Sequence, residues 1–305
     1  LPVIALYGAN ASGKSNVLHG LSYLRWFVLQ SFSRDDQAAS NRKPFLLDDE
    51  SVQKPSRFEL DFVREGVRHH FGFEVDDNRV LSEWLYQYPK KTRQLLYERK
   101  EMSFKFGRSL AGSNKQVQAV TRANSLFISA AAASGHTELT KVRDYFRDKL
   151  LFQFSTSAVS GETTAVELEK DEILRREVVK YLALADTGIA DLQVKRELLP
   201  ENARTEISEF LTVLKKMIGP PPPGTTFPSG EYNITLTLGH TSADNRVRFL
   251  DFSGESLGTK YLLKLLPSML RALKSGSVLV LDEITTSLHT LLARQLVALF
   301  HDKRL

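Results

Sequence analysis

The sequence predicts an α/β fold with a mixed sheet, an antiparallel β meander and an inserted helical subdomain. Two apolar runs carry the first part of this prediction: residues 1–7 lead into a glycine-containing loop, and residues 278–281 lead into two carboxylates. Continuous apolar runs of this kind are typical of buried strands in a parallel sheet. Between them, residues 57–106 alternate in polarity as antiparallel strands do, and from residue 119 the pattern becomes helical.

The loop near the start of the chain, Gly8-Ala9-Asn10-Ala11-Ser12-Gly13-Lys14-Ser15, fits the pattern G-x-x-x-x-G-K-[ST]. The apolar run before it predicts a buried parallel strand, and the apolar spacing in residues 16–29 predicts a helix after it. Strand, loop and helix are the context that this phosphate-binding pattern requires. We therefore predict a P-loop whose N–H groups and following helix N-terminus hold phosphates. Lys14 is expected to reach the β- and γ-phosphates, and the Ser15 hydroxyl is expected to bind Mg²⁺.

Composition limits the classes of protein that fit. At 305 residues the chain is long enough for two domains, or for one large domain with an insertion. Cysteine is absent from the sequence, which excludes disulfides, thiolate metal sites and a cysteine nucleophile. The sequence contains no apolar run as long as a membrane span and no visible signal peptide, so a cytoplasmic protein without a membrane partner is expected. The net charge of +5 permits a nucleic-acid partner, although a merely solvated basic surface is the more ordinary explanation.

Beyond the helix that follows the loop, the sequence predicts short strands and then helices. Residues 57–63 and 69–75 alternate in polarity around the turn Arg64-Glu65-Gly66, which indicates an antiparallel hairpin. Further strands are predicted over residues 80–88, 94–99, 102–106, 189–197, 231–239 and 246–252. Helices are predicted over residues 126–133, 139–150, 166–186 and 206–218. The proline run at residues 219–224 cannot continue a helix and indicates a stiff spacer.

A candidate second half of the phosphate site lies near the C-terminus. The apolar run Val278-Leu279-Val280-Leu281 predicts a buried parallel strand, which delivers Asp282 and Glu283 to the carboxyl edge where α/β sheets bind ligands. In P-loop nucleotide hydrolases an aspartate at this place holds Mg²⁺ opposite the loop hydroxyl, and we expect this of Asp282. Glu283 points differently along the strand and is the candidate that polarises the attacking water. Without the loop, two carboxylates that merely end a strand would be a fair alternative.

A third motif lies between these two. Glu255-Ser256-Leu257-Gly258-Thr259-Lys260 opens a helix whose later residues have apolar helical spacing. Serine and glycine at a helix start expose N–H groups that can hold an anion. Serine caps are common, so this motif alone would be weak evidence for a site. Its place in the order of phosphate loop, Ser-x-Gly helix start and strand with Asp-Glu gives it weight.

That order resembles the ABC-type ATPase head, in which the Ser-x-Gly helix is the signature motif. The loop with Asn16 is similar to the GxNGxGKSN of the SMC, RecF and OLD branch. The segments that begin at Glu255 and Asp282 resemble the ESxGT and DExxxSLHP motifs of bacterial AAA-type ATP-binding proteins. That family is OLD-like and is often found in abortive-infection, anti-phage operons. The similarity covers nearly the whole chain, including Glu83-Trp84-Leu85-Tyr86.

The resemblance implies an ATPase that binds ATP and Mg²⁺ along residues 8–16 and hydrolyses ATP in a head-to-head homodimer or higher oligomer. By the same resemblance, Ser256, Gly258 and Thr259 contact the γ-phosphate of nucleotide bound to a second copy, and Thr286-Ser287-Leu288-His289 form the D-loop. A sensor or regulator that controls a separate effector, such as a TOPRIM-type nuclease, rests on the resemblance alone. No nuclease constellation of several acidic residues is evident in this sequence.

The resemblance also implies three segments. Residues 1–118 form an ATPase lobe with the P-loop and the meander, residues 119–224 form a helical insertion, and residues 225–305 form the lobe with signature helix and Walker B strand. The family's switch histidine follows a further strand, so we expect that it is cut off from this chain, because His301 lies too early. The strand expected before residue 1 is missing as well.

Two substitutions within the motifs depart from the family. Ala11 replaces the usual second glycine of the loop, and Thr290 stands where proline is common. The Q-loop glutamine cannot be placed by sequence. The candidates are Gln87, Gln94, Gln116, Gln118 and Gln153.

The alternative is a DNA-repair or chromosome-structural clamp of the SMC/RecF kind, in which ATP gates DNA binding. The long segment between Ser15 and Ser256 predicts hairpins and short helices, which counts against a coiled-coil SMC arm, and an insertion of this size also fits a transporter ATPase poorly. A basic and aromatic cluster could follow a nucleic-acid backbone, although an exposed hairpin face is more common. It comprises Lys90, Lys91, Arg93, Arg99 and Lys100 around Tyr88 and Tyr97. His69 and His70 point to opposite faces of a strand and cannot share a metal, so Mg²⁺ is the metal expected.

Overall fold

The computed structural model describes residues 2–154, 161–185, 187–218, 231–285 and 288–302, with side chains described to residue 213 in the helix that ends at residue 218. The chain forms two compact units. The meander unit comprises residues 11–150, and the signature unit comprises residues 1–10 and 151–305. Among the described helices, none has the length and apolar character needed to cross a bilayer.

The meander unit is an antiparallel sheet covered by helices. It begins with α1 (Lys14–Gln30) and the short α2 (Asp49–Gln53). Five strands follow and pair in the order of the chain: β1 (Ser56–Arg64), β2 (Val67–Val75), β3 (Val80–Tyr88), β4 (Gln94–Lys100) and β5 (Ser103–Phe106). The unit closes with α3 (Asn114–Val120), α4 (Phe127–Ala133) and α5 (Thr137–Asp148). The predicted meander is therefore confirmed, with each strand within two residues of its expected ends.

The turn of the first hairpin explains why the sequence predicts β1 and β2 correctly. Glu65 and Gly66, the two central residues of the turn, both have positive φ, at 51° and 75°. Two such residues form the turn that matches the twist of adjacent antiparallel strands. Arg64 consequently pairs with Val67, and this register continues to Ser56 opposite Val75.

The core of the meander unit is aromatic. Phe71 and Phe73 are two residues apart in β2, so both lie on its inner face, and both are fully buried. Phe73 contacts Phe27 of α1 with ring centroids 5.4 Å apart, and Phe71 contacts Phe146 of α5 at 5.4 Å. Burial of each such ring contributes about 1.5–3 kcal/mol, so these contacts hold α1 and α5 on the sheet.

Two members of the predicted basic and aromatic cluster lie in this core and are not on the surface. Tyr97 and Arg99 are both buried on the inner side of β4. The Arg99 guanidinium donates hydrogen bonds to the carbonyls of Ser125 at 2.5 Å and Arg122 at 3.0 Å, and lies 3.7 Å from the Glu83 carboxylate. The expectation that the cluster lies on an exposed hairpin face is therefore wrong for these two residues, because their polar groups have buried partners.

The signature unit contains a second antiparallel sheet and most of the remaining helices. In chain order its elements are β6 (Leu150–Gln153), α6 (Gly161–Lys170), α7 (Glu172–Leu184), β7 (Ile189–Leu198), α8 (Glu201–Ile218), β8 (Tyr232–Thr241), β9 (Val247–Asp251), α9 (Leu257–Ser275), β10 (Val278–Leu281) and α10 (Thr290–Leu299). Strands β7, β8 and β9 form one sheet in that order, and β10 pairs with β6. An apolar cluster joins α6, α7 and α9 to β7 and β8.

Three expectations about this unit need correction. The helix predicted over residues 166–186 is divided into α6 and α7, because the Asp171 carboxylate accepts the Leu174 N–H at 2.9 Å and starts a new helix. The described residues 2–7 form no strand, and Tyr7 is 93 % exposed. A strand needs a neighbour for its N–H and C=O groups. The third correction concerns the sheets. In the described part of the chain, β10 pairs with β6 alone, so the strands lie in three separate sheets.

The helices of segment 119–224 are divided between the units. α4 and α5 belong to the meander unit, whereas α6, α7 and α8 belong to the signature unit. Residues 219–224, predicted to be a stiff spacer, lie outside the described residues. The division into segments 1–118, 119–224 and 225–305 stays a prediction.

Candidate nucleotide site

Helix α1 begins directly after the glycine-containing loop, as the sequence predicts. The helix begins at Lys14, directly after Gly13, whose φ of 91° lies in the left-handed region. The Val17 N–H donates to the Gly13 carbonyl at 3.1 Å. No side chain caps this helix, and its first turn contains no acidic residue. The helix dipole and the first N–H groups therefore give this end a partial positive charge that suits an anion.

Ala11 has a backbone conformation that favours glycine. Its φ is +60°, in the left-handed region that costs a residue with a Cβ about 1–2 kcal/mol. This is the position at which the resemblance implies a glycine. The loop thus keeps its turn, but the Cβ atom of Ala11 makes the backbone at this position strained.

The Asp-Glu pair follows β10 as predicted. The Asp282 N–H donates to the Gln153 carbonyl at 3.3 Å, so the residue is held at the end of β6. Glu283 is exposed and has a φ of 54°. Its direction is therefore set by a left-handed turn rather than by alternation along the strand, which corrects the reason given for its different orientation.

The Ser-x-Gly motif begins α9. Ser256 is the N-cap residue, and its Oγ accepts the Thr259 N–H at 3.1 Å. The same Oγ lies 2.9 Å from the Thr259 hydroxyl oxygen. Gly258 lies in the first turn of α9, and Leu257 is 77 % exposed there. The three residues predicted to act on a second copy are thus at an accessible helix N-terminus.

Glu255, which precedes the cap, is held by a histidine that no sequence motif indicates. The Glu255 Oε1 lies 2.7 Å from Nε2 of His240 at the end of β8, and the carboxylate side chain is 8 % exposed. The pair joins the sheet of the signature unit to the start of α9. Nothing local in the sequence connects two residues that are fifteen positions apart.

Among the five candidate Q-loop glutamines, Gln153 has a contact with the Asp-Glu segment. Its carbonyl oxygen is the acceptor of the Asp282 N–H. Gln87 instead donates to Gln94 across the β3–β4 hairpin at 3.2 Å, and Gln116 and Gln118 lie in α3, all within the meander unit.

The predicted D-loop is described only in part. Thr286 and Ser287 lie outside the described residues. Leu288 is buried, and His289 caps α10 with its Nδ1 accepting the Leu291 N–H at 3.4 Å. Thr290 is the first residue of α10, a position at which proline is favoured in helices and at which the resemblance implies a proline.

The candidate residues fall into both units. Ser256, Gly258, Thr259, Asp282 and Glu283 belong to the signature unit, as do Gly8, Ala9 and Asn10. Ala11, Ser12, Gly13, Lys14, Ser15 and Asn16 belong to the meander unit. The described residues contain no group of three or more His, Asp or Glu side chains that could hold a metal ion. A Mg²⁺ ion that is bound through nucleotide phosphates needs only one or two protein oxygens, and the Ser15 hydroxyl and Asp282 carboxylate are of that type.

Comparison with protein families decides the class. Residues 3–305 match the family described as "AAA domain, putative AbiEii toxin, Type IV TA system". The chain belongs to this family. No curated protein matches it. The match confirms a P-loop ATPase domain of the abortive-infection type, with nucleotide hydrolysis as the general activity of the family. Assignment of this AAA domain to the OLD, SMC or RecF branch stays a prediction.

Proposed function

We propose that this AAA domain is an ATP-hydrolysing, ABC-type head that dimerises around ATP and regulates a separate effector in a bacterial anti-phage system. The observation that carries the proposal is the start of α1, where Gly13 turns into a helix without a side-chain cap and Lys14 is its first residue. The motif order and the family match support the same activity.

In the proposed reaction, Lys14 and the loop amides hold the phosphates, and Ser15 and Asp282 hold Mg²⁺. Bound Mg²⁺ supplies charge stabilisation at the phosphate oxygens. Glu283 orients a water molecule and accepts its proton as the water oxygen bonds to the γ-phosphorus. The bond from that phosphorus to the bridging oxygen breaks, which releases ADP and phosphate.

In this proposal, the second protomer contributes the start of its helix α9 to the site. The N-terminus of this helix presents N–H groups and the hydroxyls of Ser256 and Thr259, which suit a phosphate. Gly258 leaves room for close approach, and exposed Leu257 marks this end as accessible. Hydrolysis in this proposal requires that Ser256, Gly258 and Thr259 of one copy complete the site of the other. We also assign the Q-loop role to Gln153, because it adjoins Asp282.

The effector proposal rests on the family, whose description includes a toxin–antitoxin system and thus a partner component. We propose a nuclease subunit, with a TOPRIM-type enzyme as the expected class. The DNA-clamp alternative loses support from the structure, because Tyr97 and Arg99 are buried and cannot follow a nucleic-acid backbone. Lys90, Lys91 and Arg93 remain near the β3–β4 turn as a smaller basic group.

Substitution of Glu283 by Gln tests the proposal. The amide keeps the shape of the side chain but cannot accept the proton, so turnover should fall by about 100-fold or more while ATP still binds. Release of ADP, binding of a fluorescent ATP analogue and mass by light scattering would be measured on the wild type, Glu283→Gln and the control Glu209→Gln, an exposed residue of α8. We expect the Glu283 variant to accumulate as an ATP-bound dimer. Unchanged hydrolysis in that variant would refute the role of Glu283, and no ATP binding by the wild type would refute the function itself.

A further inference from the structure

The hydroxyl group of Tyr261 is buried without a partner. Tyr261 lies in α9, two residues after Thr259, and is 3 % exposed. Its ring packs in the apolar cluster of the signature unit, which accounts for the aromatic part of the side chain. Its hydroxyl, by contrast, makes no hydrogen bond within the described part of the chain. A buried hydroxyl without a partner costs free energy, so this group calls for an explanation other than packing.

Neighbouring hydrogen bonds show what this face of α9 meets. Lys264, three residues after Tyr261, donates from Nζ to the Phe154 carbonyl at 3.3 Å. The preceding carbonyl, that of Gln153, accepts the Asp282 N–H at 3.3 Å. Residues three apart share a helix face. Tyr261 is therefore on the side of α9 that faces the ends of β6 and β10, where Asp282 and Glu283 follow.

The electrostatic surroundings of Tyr261 agree with this placement. Burial raises the pKa of the Tyr261 hydroxyl, and the negative charges of Asp282 and Glu283 raise it further. The phenol is therefore neutral at physiological pH and available as a hydrogen-bond donor. Carboxylates are the acceptors with which such a donor forms its strongest hydrogen bonds.

We infer that Tyr261 is a positioning residue that holds the Glu283 carboxylate by a hydrogen bond during ATP hydrolysis. The inference rests on the proposed function, in which Asp282 is engaged with Mg²⁺ and Glu283 must point at the attacking water. Glu283 lies beyond the end of β10, and its φ of 54° departs from the extended conformation of the strand. A donor on α9 would also connect the helix that begins at Ser256, and hence the state of the second protomer, to water activation.

Substitution of Tyr261 by Phe removes this donor and keeps the ring. The matched control is Tyr181→Phe, because Tyr181 of α7 packs against the same apolar cluster. Full-chain wild type and both variants would be compared by steady-state ATP hydrolysis with Mg²⁺ and by thermal unfolding without nucleotide. We expect kcat of Tyr261→Phe to fall about tenfold with KM within about twofold of wild type, since the lost interaction acts on the transition state. Its Tm without nucleotide should be equal to or above that of wild type, because no hydrogen bond of the free protein is lost.

Two results would overturn the inference. A kcat equal to wild type would show that the hydroxyl does not act on Glu283. A Tm below both wild type and Tyr181→Phe would show that the hydroxyl has a structural partner in the free protein. If the wild-type protein binds no ATP or shows no turnover, the proposed function itself is contradicted. The inference about Tyr261 is then contradicted as well, because it rests on that function.

Discussion

The Tyr97 hydroxyl donates a hydrogen bond of 2.6 Å to the Glu83 carboxylate within the core of the meander unit. The same carboxylate accepts the N–H groups of Phe127 at 2.6 Å and Ile128 at 3.1 Å, the first two residues of α4. Glu83 thus caps a helix that has no side-chain cap of its own, and the Arg99 guanidinium lies 3.7 Å away. The Glu-Trp-Leu-Tyr segment that resembles the family accordingly has a structural role in this chain.

Substitution of Glu83 by Ala should destabilise the meander unit severely. It leaves the buried Arg99 charge uncompensated and removes the acceptor of two α4 N–H groups, which together should cost about 3–5 kcal/mol. Tyr97→Phe removes one donor only and should cost about 1–3 kcal/mol. Urea unfolding checks both values against Tyr88→Phe, a half-buried tyrosine at the end of the adjacent strand β3. Equal midpoints for Glu83→Ala and wild type would contradict the capping role.

Substitution of Ala11 by Gly should stabilise the loop. Glycine adopts the φ of +60° at Ala11 without a Cβ clash, which recovers about 1–2 kcal/mol and loses about 0.4–1 kcal/mol through the freer unfolded chain. The net gain should be about 0.5–1 kcal/mol, measured by urea unfolding, with affinity for ATP unchanged or higher. Ala9→Gly is the control, because Ala9 does not have a positive φ, and it should be neutral or destabilising. If both variants lower stability alike, Ala11 carries no backbone strain.

The meander was predictable because its information is local. Period-two alternation identified β1 and β2, and the turn at Glu65 and Gly66 set their register. The division between α6 and α7 was missed because apolar spacing continues through Asp171, whereas the cap that starts α7 is a single polar contact. Periodicity reports which face of an element is apolar and says little about one hydrogen bond.

Partners distant in sequence could not be predicted in the same way. Arg99 and Tyr97 were grouped with surface residues because polar side chains are usually exposed, and only the position of Glu83 and the carbonyls near Ser125 makes their burial favourable. The apolar character of residues 2–7 indicates a tendency to be buried. It does not identify the strand with which these residues would pair. The motif residues themselves were readable, since helix starts at Lys14 and Ser256 and the end of β10 at Leu281 are local features.

The contact between His240 and Glu255 should support the start of α9. Substitution of His240 by Ala leaves a nearly buried carboxylate without its partner, which should lower the free energy of unfolding by about 1–3 kcal/mol. His240→Gln keeps a side-chain N–H donor and should retain most of this stability. ATP hydrolysis should fall more in His240→Ala than in His240→Gln, because Ser256 adjoins Glu255. Urea unfolding and ADP release measure these effects, and equal behaviour of the two variants would contradict a positioning role for the histidine.

His136 should make the meander unit less stable in acid. Its Nδ1 accepts the Leu139 N–H at 3.3 Å and caps α5, and its Nε2 lies 3.0 Å from the Asn114 Oδ1, which assigns the proton of the neutral ring to Nε2. Burial lowers the pKa of His136, while a backbone hydrogen bond and the Glu138 charge act in the opposite direction. Below the unfolded pKa of about 6.5 the unfolded chain therefore binds more protons than the folded one, so stability is complete above that pH and declines as the pH falls. His136→Asn keeps an N-cap acceptor without a titrating ring, and its stability should decline less between pH 7.5 and 5.5 in urea unfolding. Burial also lowers the pKa of His69, but His69 is present in both proteins. The difference between their pH profiles therefore reports on His136 alone. Identical profiles would show that the ring of His136 does not need to stay neutral.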